Sequence, residues 1–371
     1  MNFKSMILGS AAALVAVSGA QAADLPVAEP VDYVRICDFD GWGTGIQIPG
    51  TETCLKIGGY VRTQIDYVEP KSRASDAVTF SGKGYLKFDA VNDTEYGVLR
   101  SFIDFSGTNG GEMKLGKAYI QYRGFTMGYV GSFYFNVGGA GFYDGPNSDE
   151  SVAAFAYTFA GGNGMTASLS LEDLNRNDAG TGTGGAGTVF AHAGNGAPDV
   201  VAAVSVSQGW GSLKVTGAMH QLRNTNSTVN TTYGYGVSVG GTFNVTSGTK
   251  VTLGAQYADG AVSYAGYGEY DAELSGTDVK KSKAWTALAA LTHAWSSTVS
   301  QDFHVGYGSF DAYSNANDNT QLRLGTRVNY TGVSGLYIGI GAGWSKTEYS
   351  ATSGKADLKV FKARLRVQRN F

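Results

Sequence analysis

From Lys56 to Tyr67 the chain alternates strictly. Ile57, Gly59, Val61, Thr63, Ile65 and Tyr67 fall on one face, and Lys56, Gly58, Tyr60, Arg62, Gln64 and Asp66 on the other. A period of two is the period of a strand, so this is a β-strand with one apolar and one charged side. The split returns with Leu86, Phe88 and Ala90 against Lys87 and Asp89, then with Leu99, Ser101, Ile103 and Phe105 against Arg100, Phe102 and Asp104. Carried along the chain, it predicts strands near residues 55–68, 77–91, 94–106, 112–123, 125–131, 151–160, 164–172, 199–208, 211–219, 232–244, 250–258, 282–294, 298–308, 320–330, 335–347 and 356–371. The total is even, as a bacterial barrel requires. The joints alternate too: very short ones (VNDT, RGF, AGGNG, QGWG, VTSGT, AWSST, TGVS) against longer, more polar ones at 173–198, 220–231, 259–281 and 309–319. Short turns on one rim and long loops on the other describe an all-β, sixteen-stranded antiparallel transmembrane β-barrel.

The amino-terminal stretch supplies the compartment. Lys4 precedes an apolar run from Met6 to Val17, and small residues follow to Ala20-Gln21-Ala22. This reads as a secretory signal over residues 1–22, too short in its apolar run for the ~20 residues of a membrane helix. Aromatic residues make up 12 % of the chain against 16 % charged, a composition in which a barrel hides its membrane face because only alternate residues need be apolar. The formal charge of −3 gives no reason to expect nucleic acid as a partner. Cys37 and Cys54, 17 positions apart in an exported chain, are expected to form one disulfide within an N-terminal segment of residues 23–54 that precedes the barrel at 55–371. His192, His220, His293 and His304 do not stand at ligand spacing to either cysteine, so no metal or other cofactor is expected.

A soluble sandwich also alternates, and aromatic placement decides between the two. Tyr233, Tyr235, Val237, Val239 and Phe243, like Leu336, Ile338, Ile340, Ala342 and Trp344, put rings towards strand ends with aliphatics between, as interfacial girdles do. The last strand carries Phe361, Ala363, Leu365 and Val367 on one phase and Lys362, Arg364, Arg366 and Gln368 on the other, and ends on Phe371. A terminal aromatic on an amphipathic strand resembles the signal read by the barrel-assembly machinery.

The stretch from Gly131 to Ser151, GSFYFNVGGAGFYDGPNSDES, interrupts the alternation. A loop of this length without structure of its own is commonly functional. Phe133, Tyr134, Phe135, Phe142 and Tyr143 give it more aromatic surface than a solvated loop holds, so it is expected to fold against the barrel wall, carrying Asp144, Asp149 and Glu150 with it.

The signal ending GAQAAD, YVRICD at Tyr33–Asp38, PGTETCLKIGGYVR at Pro49–Arg62, AYIQ at Ala118–Gln121, YTFAGGNGM at Tyr157–Met165 and the closing VQRNF are similar to the alphaproteobacterial general porins. The resemblance implies a homotrimer of sixteen-stranded barrels in the outer membrane, contacting lipid and lipopolysaccharide, each with a water-filled channel for small hydrophilic solutes and ions. It also implies that residues 131–151 are the inward-folded third loop that narrows the channel. A transverse field at such a constriction needs wall cations opposite loop carboxylates. Alternation places Lys56, Arg62, Lys87, Arg100, Arg123, Lys214, Arg323 and Arg327 inward. The expected constriction is Arg62, Arg100, Arg123 and Arg323 facing Asp144, Asp149 and Glu150.

Two other functions fit parts of the sequence. A sugar-specific channel would use lumen aromatics, for which Tyr60, Phe102, Tyr119 and Tyr337 face inward without forming a continuous track. An outer-membrane hydrolase would need a triad, yet no G-x-S-x-G marks a nucleophile for His192, His220 or His304. No enzyme is expected. The glycine-rich stretch 173–198 lacks the lysine of a phosphate loop. Asp173 and Asp178, or Glu269, Asp271 and Glu273, are candidates to meet divalent cations that bridge lipopolysaccharide.

Overall fold

The computed structural model describes residues 35–135, 137, 142, 148–173, 188–194, 196–315 and 317–371; the signal segment lies outside the described residues. The chain opens with a hairpin, β1 (Ile36–Phe39) and β2 (Gly43–Gln47). The wall begins at β3 (Cys54–Val68) and runs through β4 (Val78–Asn92), β5 (Leu99–Thr108), β6 (Lys114–Tyr122), β7 (Phe125–Gly131), β8 (Ser151–Gly162) and β9 (Met165–Glu172). After the short β10 (Thr188–Val189) in a loop, it resumes with β11 (Asp199–Gln208), β12 (Gly211–Leu222), β13 (Thr232–Thr246) and β14 (Thr249–Asp259). The hairpin β15 (Ala272–Ser275) and β16 (Asp278–Lys281) again belongs to a loop and pairs with β10. The strands β17 (Lys283–Ala294), β18 (Val299–Asp311), β19 (Asn319–Tyr330), β20 (Leu336–Tyr349) and β21 (Leu358–Asn370) complete the wall.

Each wall strand pairs antiparallel with the next, and β21 pairs with β3 from Lys362↔Val68 to Asn370↔Tyr60. Phe371 and Gly59 seal the seam with two backbone hydrogen bonds of 3.1 Å. The result is a closed antiparallel barrel of sixteen strands, matching the expected segments one for one. Closure matters physically because an open edge cannot be satisfied in hydrocarbon. The largest boundary difference is at the third segment, which begins at Leu99 rather than near 94. There Thr94 and Gly97 exchange backbone hydrogen bonds of 3.2 and 3.0 Å and close a turn.

The outer face is apolar at mid-height, with Leu169, Val204, Val215, Val237, Leu253, Val305, Leu324, Ile340 and Leu365 exposed. Exposed rings border it: Tyr67, Tyr129, Tyr233, Trp285, Tyr307 and Phe361 towards the long-loop rim, and Phe159, Trp210, Trp295, Tyr330 and Phe371 towards the short-turn rim. Amphipathic rings at both boundaries are how a membrane barrel marks its two interfaces.

Below the seam, β2 continues the edge of β3 through Ile46↔Leu55 and Gln47↔Cys54. The Cys37–Cys54 disulfide, with a Cα–Cα distance of 6.0 Å, fastens the hairpin there. Lys56 adds a hydrogen bond to the Trp42 carbonyl and lies 4.2 Å from the Trp42 ring.

Candidate functional site

Among the described residues, two connections at the long-loop rim turn into the barrel instead of away from it. The first joins β7 to β8. Its stem is bolted to the inner wall: the Ser132 hydroxyl and the Phe133 amide donate to Glu172 at 2.7 and 2.8 Å, Thr216 donates to the Tyr134 carbonyl at 3.1 Å, and the Lys214 ammonium donates to the Phe135 carbonyl at 2.6 Å. Glu172 is 1 % exposed, so its charge is satisfied by the loop itself. Tyr134 is fully buried, and Gly236 on the inner face of β13 leaves the room: a Cβ there would lie 3.1 Å from the tyrosine hydroxyl. Further on, Phe142 packs over Gly339 and Gly341 of β20, where added Cβ atoms would meet its ring at 2.9 and 3.1 Å. The described residues of this connection therefore reach from the stem at β7 and β8 to Phe142 on β20.

At its far end Phe142 sits among cations. The guanidinium carbons of Arg366, Arg327 and Arg364 lie 4.5, 5.0 and 5.4 Å from its ring centroid, within cation–π range. Arg327 donates twice to Asp302, the shorter bond being 2.6 Å, and Arg364 pairs with Asp66. Arg62, next to this group across the seam, donates its Nε to Gln368 at 2.7 Å and lies 4.4 Å from the Tyr60 ring. The bidentate and stacked geometry is what arginine offers and lysine does not.

The expected site residues are distributed as follows. Arg62 belongs to the arginine face just described. Arg323, on β19, points to the same interior and donates to Gln321 at 2.8 Å. Arg100 grips Asp89 in a bidentate pair with both distances 2.8 Å, and its register partner Val91 lies opposite Cys54, so it stands at the foot of the wall. Arg123 occupies the two-residue turn with Gly124, with φ of 50° and 86°, so the alternation that aimed it inward has already ended at Tyr122 and it stands on the short-turn rim. Asp149 and Glu150 lie exposed where the loop returns to β8, the Glu150 carbonyl accepting from the Ser132 amide at 2.8 Å. Asp144 lies outside the described residues. The sequence reading did not gather Arg327, Arg364 and Arg366 around Phe142. The basic triplet at 362, 364 and 366, spaced by two on the final strand, was the available signal.

The second inward connection, residues 260–282, was expected as a polar outer loop. Instead a turn of 3₁₀ helix at Val262–Ala265 and the following Tyr267 and Tyr270 are buried against β14, β17 and the tyrosine of the first loop, Tyr134 and Tyr264 meeting edge-on at 4.6 Å. Three elements are tied at its base. Tyr264 donates to Asp199 at 2.6 Å, His220 Nδ1 lies 2.9 Å from Asp199, and His220 Nε2 lies 3.7 Å from Asp271, which accepts the Val262 amide at 2.6 Å. Burial pushes the Asp271 carboxyl up to about 6, while His220 and the Val262 amide pull it down and Asp199 pushes it further up. Asp271 and Glu273 are at most 1 % exposed, and Glu273 is held by Tyr270 and Ser314. These two therefore serve the interior and do not reach lipopolysaccharide, contrary to the sequence expectation. Asp178 lies outside the described residues.

Residues 24–365 match the family described as "Porin subfamily". Among curated proteins, the chain is 34 % identical over 297 residues to porin Omp2b of Brucella canis, covering 73 % of this chain and 78 % of that one, and 33 % identical to porin Omp2b of Brucella suis biovar 1 over the same shares. Among solved structures, the outer membrane channel DcaP of Acinetobacter baumannii is similar with a TM-score of 0.76 at 17 % identity, covering 88 % of this chain and 99 % of that one. The anion-selective porin of Comamonas acidovorans and the trimer form of OmpT from Vibrio cholerae each give 0.59 at 11 % identity, covering 86 % of this chain and all of theirs. At these identities the structural likeness speaks for the fold.

Proposed function

The chain belongs to the porin subfamily and forms a passive channel in the bacterial outer membrane, and on that premise we propose that it is a general diffusion pore whose third loop sets its constriction. The observation that carries this reading is the span of that loop, from its Glu172-bound stem to the Phe142 ring seated among three arginines. One side of the narrowed passage is then the arginine face of Arg62, Arg323, Arg327, Arg364 and Arg366, and the other the loop carboxylates Asp149 and Glu150. Water between them feels a transverse field, which orders dipolar solutes and sorts ions without energy coupling. Arg100 and Arg123, paired low on the wall and placed on the rim, have no part in it. Residues 1–22 serve as the export signal. The assembly is a homotrimer, the form in which the Vibrio cholerae neighbour is described.

Purified protein in planar bilayers is expected to give discrete conductance steps, and liposomes carrying it to swell at rates that fall smoothly with sugar size. Absence of steps, or swelling with one sugar alone, overturns the general-pore reading. The stacked pairs Tyr60–Tyr85 and Phe102–Tyr119, with centroids 4.8 and 5.1 Å apart, turn ring faces on each other instead of offering a continuous slide to a sugar. Neutralising Asp144, Asp149 and Glu150 together should shift the reversal potential in a salt gradient towards anion selectivity. An unchanged potential removes them from the constriction.

A further inference from the structure

We propose that Arg62 and Arg366 form a binding subsite for the carboxylate or phosphate group of a permeating anion. The inference rests on the reading of the lumen as an open channel and adds a ligand class to it.

The two residues stand on neighbouring strands at the seam. Arg62 is opposite Gln368 and Arg366 is opposite Gln64, so the arginines are diagonal neighbours on the inner face, within reach of one small ligand. Each guanidinium is held by the side-chain carbonyl of the glutamine opposite and through the same atom: Arg62 Nε donates to Gln368 at 2.7 Å, and Arg366 Nε donates to Gln64 at 2.6 Å. Each is also laid against a ring, Arg62 on Tyr60 at 4.4 Å, which is itself stacked on Tyr85, and Arg366 on Phe142 at 4.5 Å. The planes are fixed, yet among the described residues the terminal Nη atoms of both make no hydrogen bond.

The contrast with the surrounding arginines carries the point. Arg364 has Asp66, Arg327 has Asp302 and Arg100 has Asp89. Among the described residues, Arg62 and Arg366 hydrogen-bond to neutral amides alone. A carboxylate in place of either glutamine would neutralise the pair. The amides orient the forks and leave the charge. Two like charges held side by side repel, and an anion between them relieves the repulsion while its two oxygens fit the paired N–H groups of a guanidinium edge. Both arginines are half-buried and keep surface towards the lumen, so the ligand's approach is through the channel.

The test uses the full-length protein in planar bilayers carrying potassium chloride, with added potassium phosphate or potassium acetate as probe. Chloride current through open channels is expected to fall with probe concentration and to saturate. Block by both probes assigns the subsite to oxyanions of either charge, and block by phosphate alone assigns it to dianions. Arg62→Gln with Arg366→Gln should raise the half-blocking concentration by at least about tenfold. Arg62→Lys with Arg366→Lys keeps the charge and loses the fork, so it should lose saturable block. Should the glutamine variant not insert, the lysine variant decides. Current that falls linearly with either probe in wild type, or saturable block unchanged in the lysine variant, overturns the subsite. Absence of channels in wild type overturns the pore reading instead.

Discussion

Replacing His220 with leucine should release the connection 260–282 from the lumen and enlarge the channel most strongly at neutral pH. His220 is 3 % exposed and sits between Asp199 on β11 and Asp271 on the loop. Without the imidazole, two carboxylates remain in one buried site, with the Tyr264 hydroxyl and the Val262 amide as compensation. Breaking a buried pair by removing one partner costs about 3–5 kcal/mol. Fixing each residue of a loop costs about 1–2 kcal/mol in backbone entropy, so the net energy that docks the loop is a small difference between large quantities and is open to reversal by that amount.

The pH dependence follows from Asp271. Docked, its carboxyl titrates near 6; released into water, it would return to about 4. The docked loop therefore binds a proton more readily than the free one, so protonation favours docking and this contribution is lost as pH rises through the docked value. Around Asp271 stand His220 from β12, Asp199 from β11 and Tyr264 from its own loop. Loss of the histidine raises the docked value further, because its pull is downward. His220→Leu is accordingly expected to conduct close to wild type in acid and to show larger steps at neutral pH and above. Adding Asp271→Asn should restore the smaller steps at neutral pH. Steps identical to wild type both in acid and at neutral pH would mean that the cluster does not hold the loop.

The second large effect is expected from Tyr134→Ala. Tyr134 is fully buried and is the point where the two inward loops meet. Removing a buried ring of this size costs about 3–5 kcal/mol. The stem bonds to Glu172, Thr216 and Lys214 involve backbone atoms or Ser132 and survive the change. The wall pairs its strands without Tyr134, so the barrel should assemble and keep its β-sheet circular dichroism. The loop beyond its stem should lift from the wall, raising single-channel conductance and admitting larger sugars in liposome swelling. Wild-type permeation with only a lower melting temperature would show that Tyr134 supports the fold and not the constriction.

The wall was legible in local alternation alone. Lipid demands apolar side chains at every second position, and water and charge take the positions between, so each strand announces itself locally and the count and turn alternation follow. The inward direction of Arg62, Arg323 and Arg327 was legible for the same reason, because a charge on the lipid face is costly. Which charges meet was settled by the closure of the barrel. Arg364 with Asp66 and Arg62 with Gln368 join residues about 300 positions apart, and their pairing depends on the register at which β21 closes on β3. That register is a property of the whole barrel and has no local signature. The interior loops were hidden by a different cause. The run from Val262 to Asp271 mixes tyrosines with glycine and carboxylates, and composition does not say whether water or Asp199 and His220 will satisfy its polar groups. What settles it is burial: once Tyr264 and Tyr134 fill the space above Gly236, the carboxylates at their side lose water and must find partners inside.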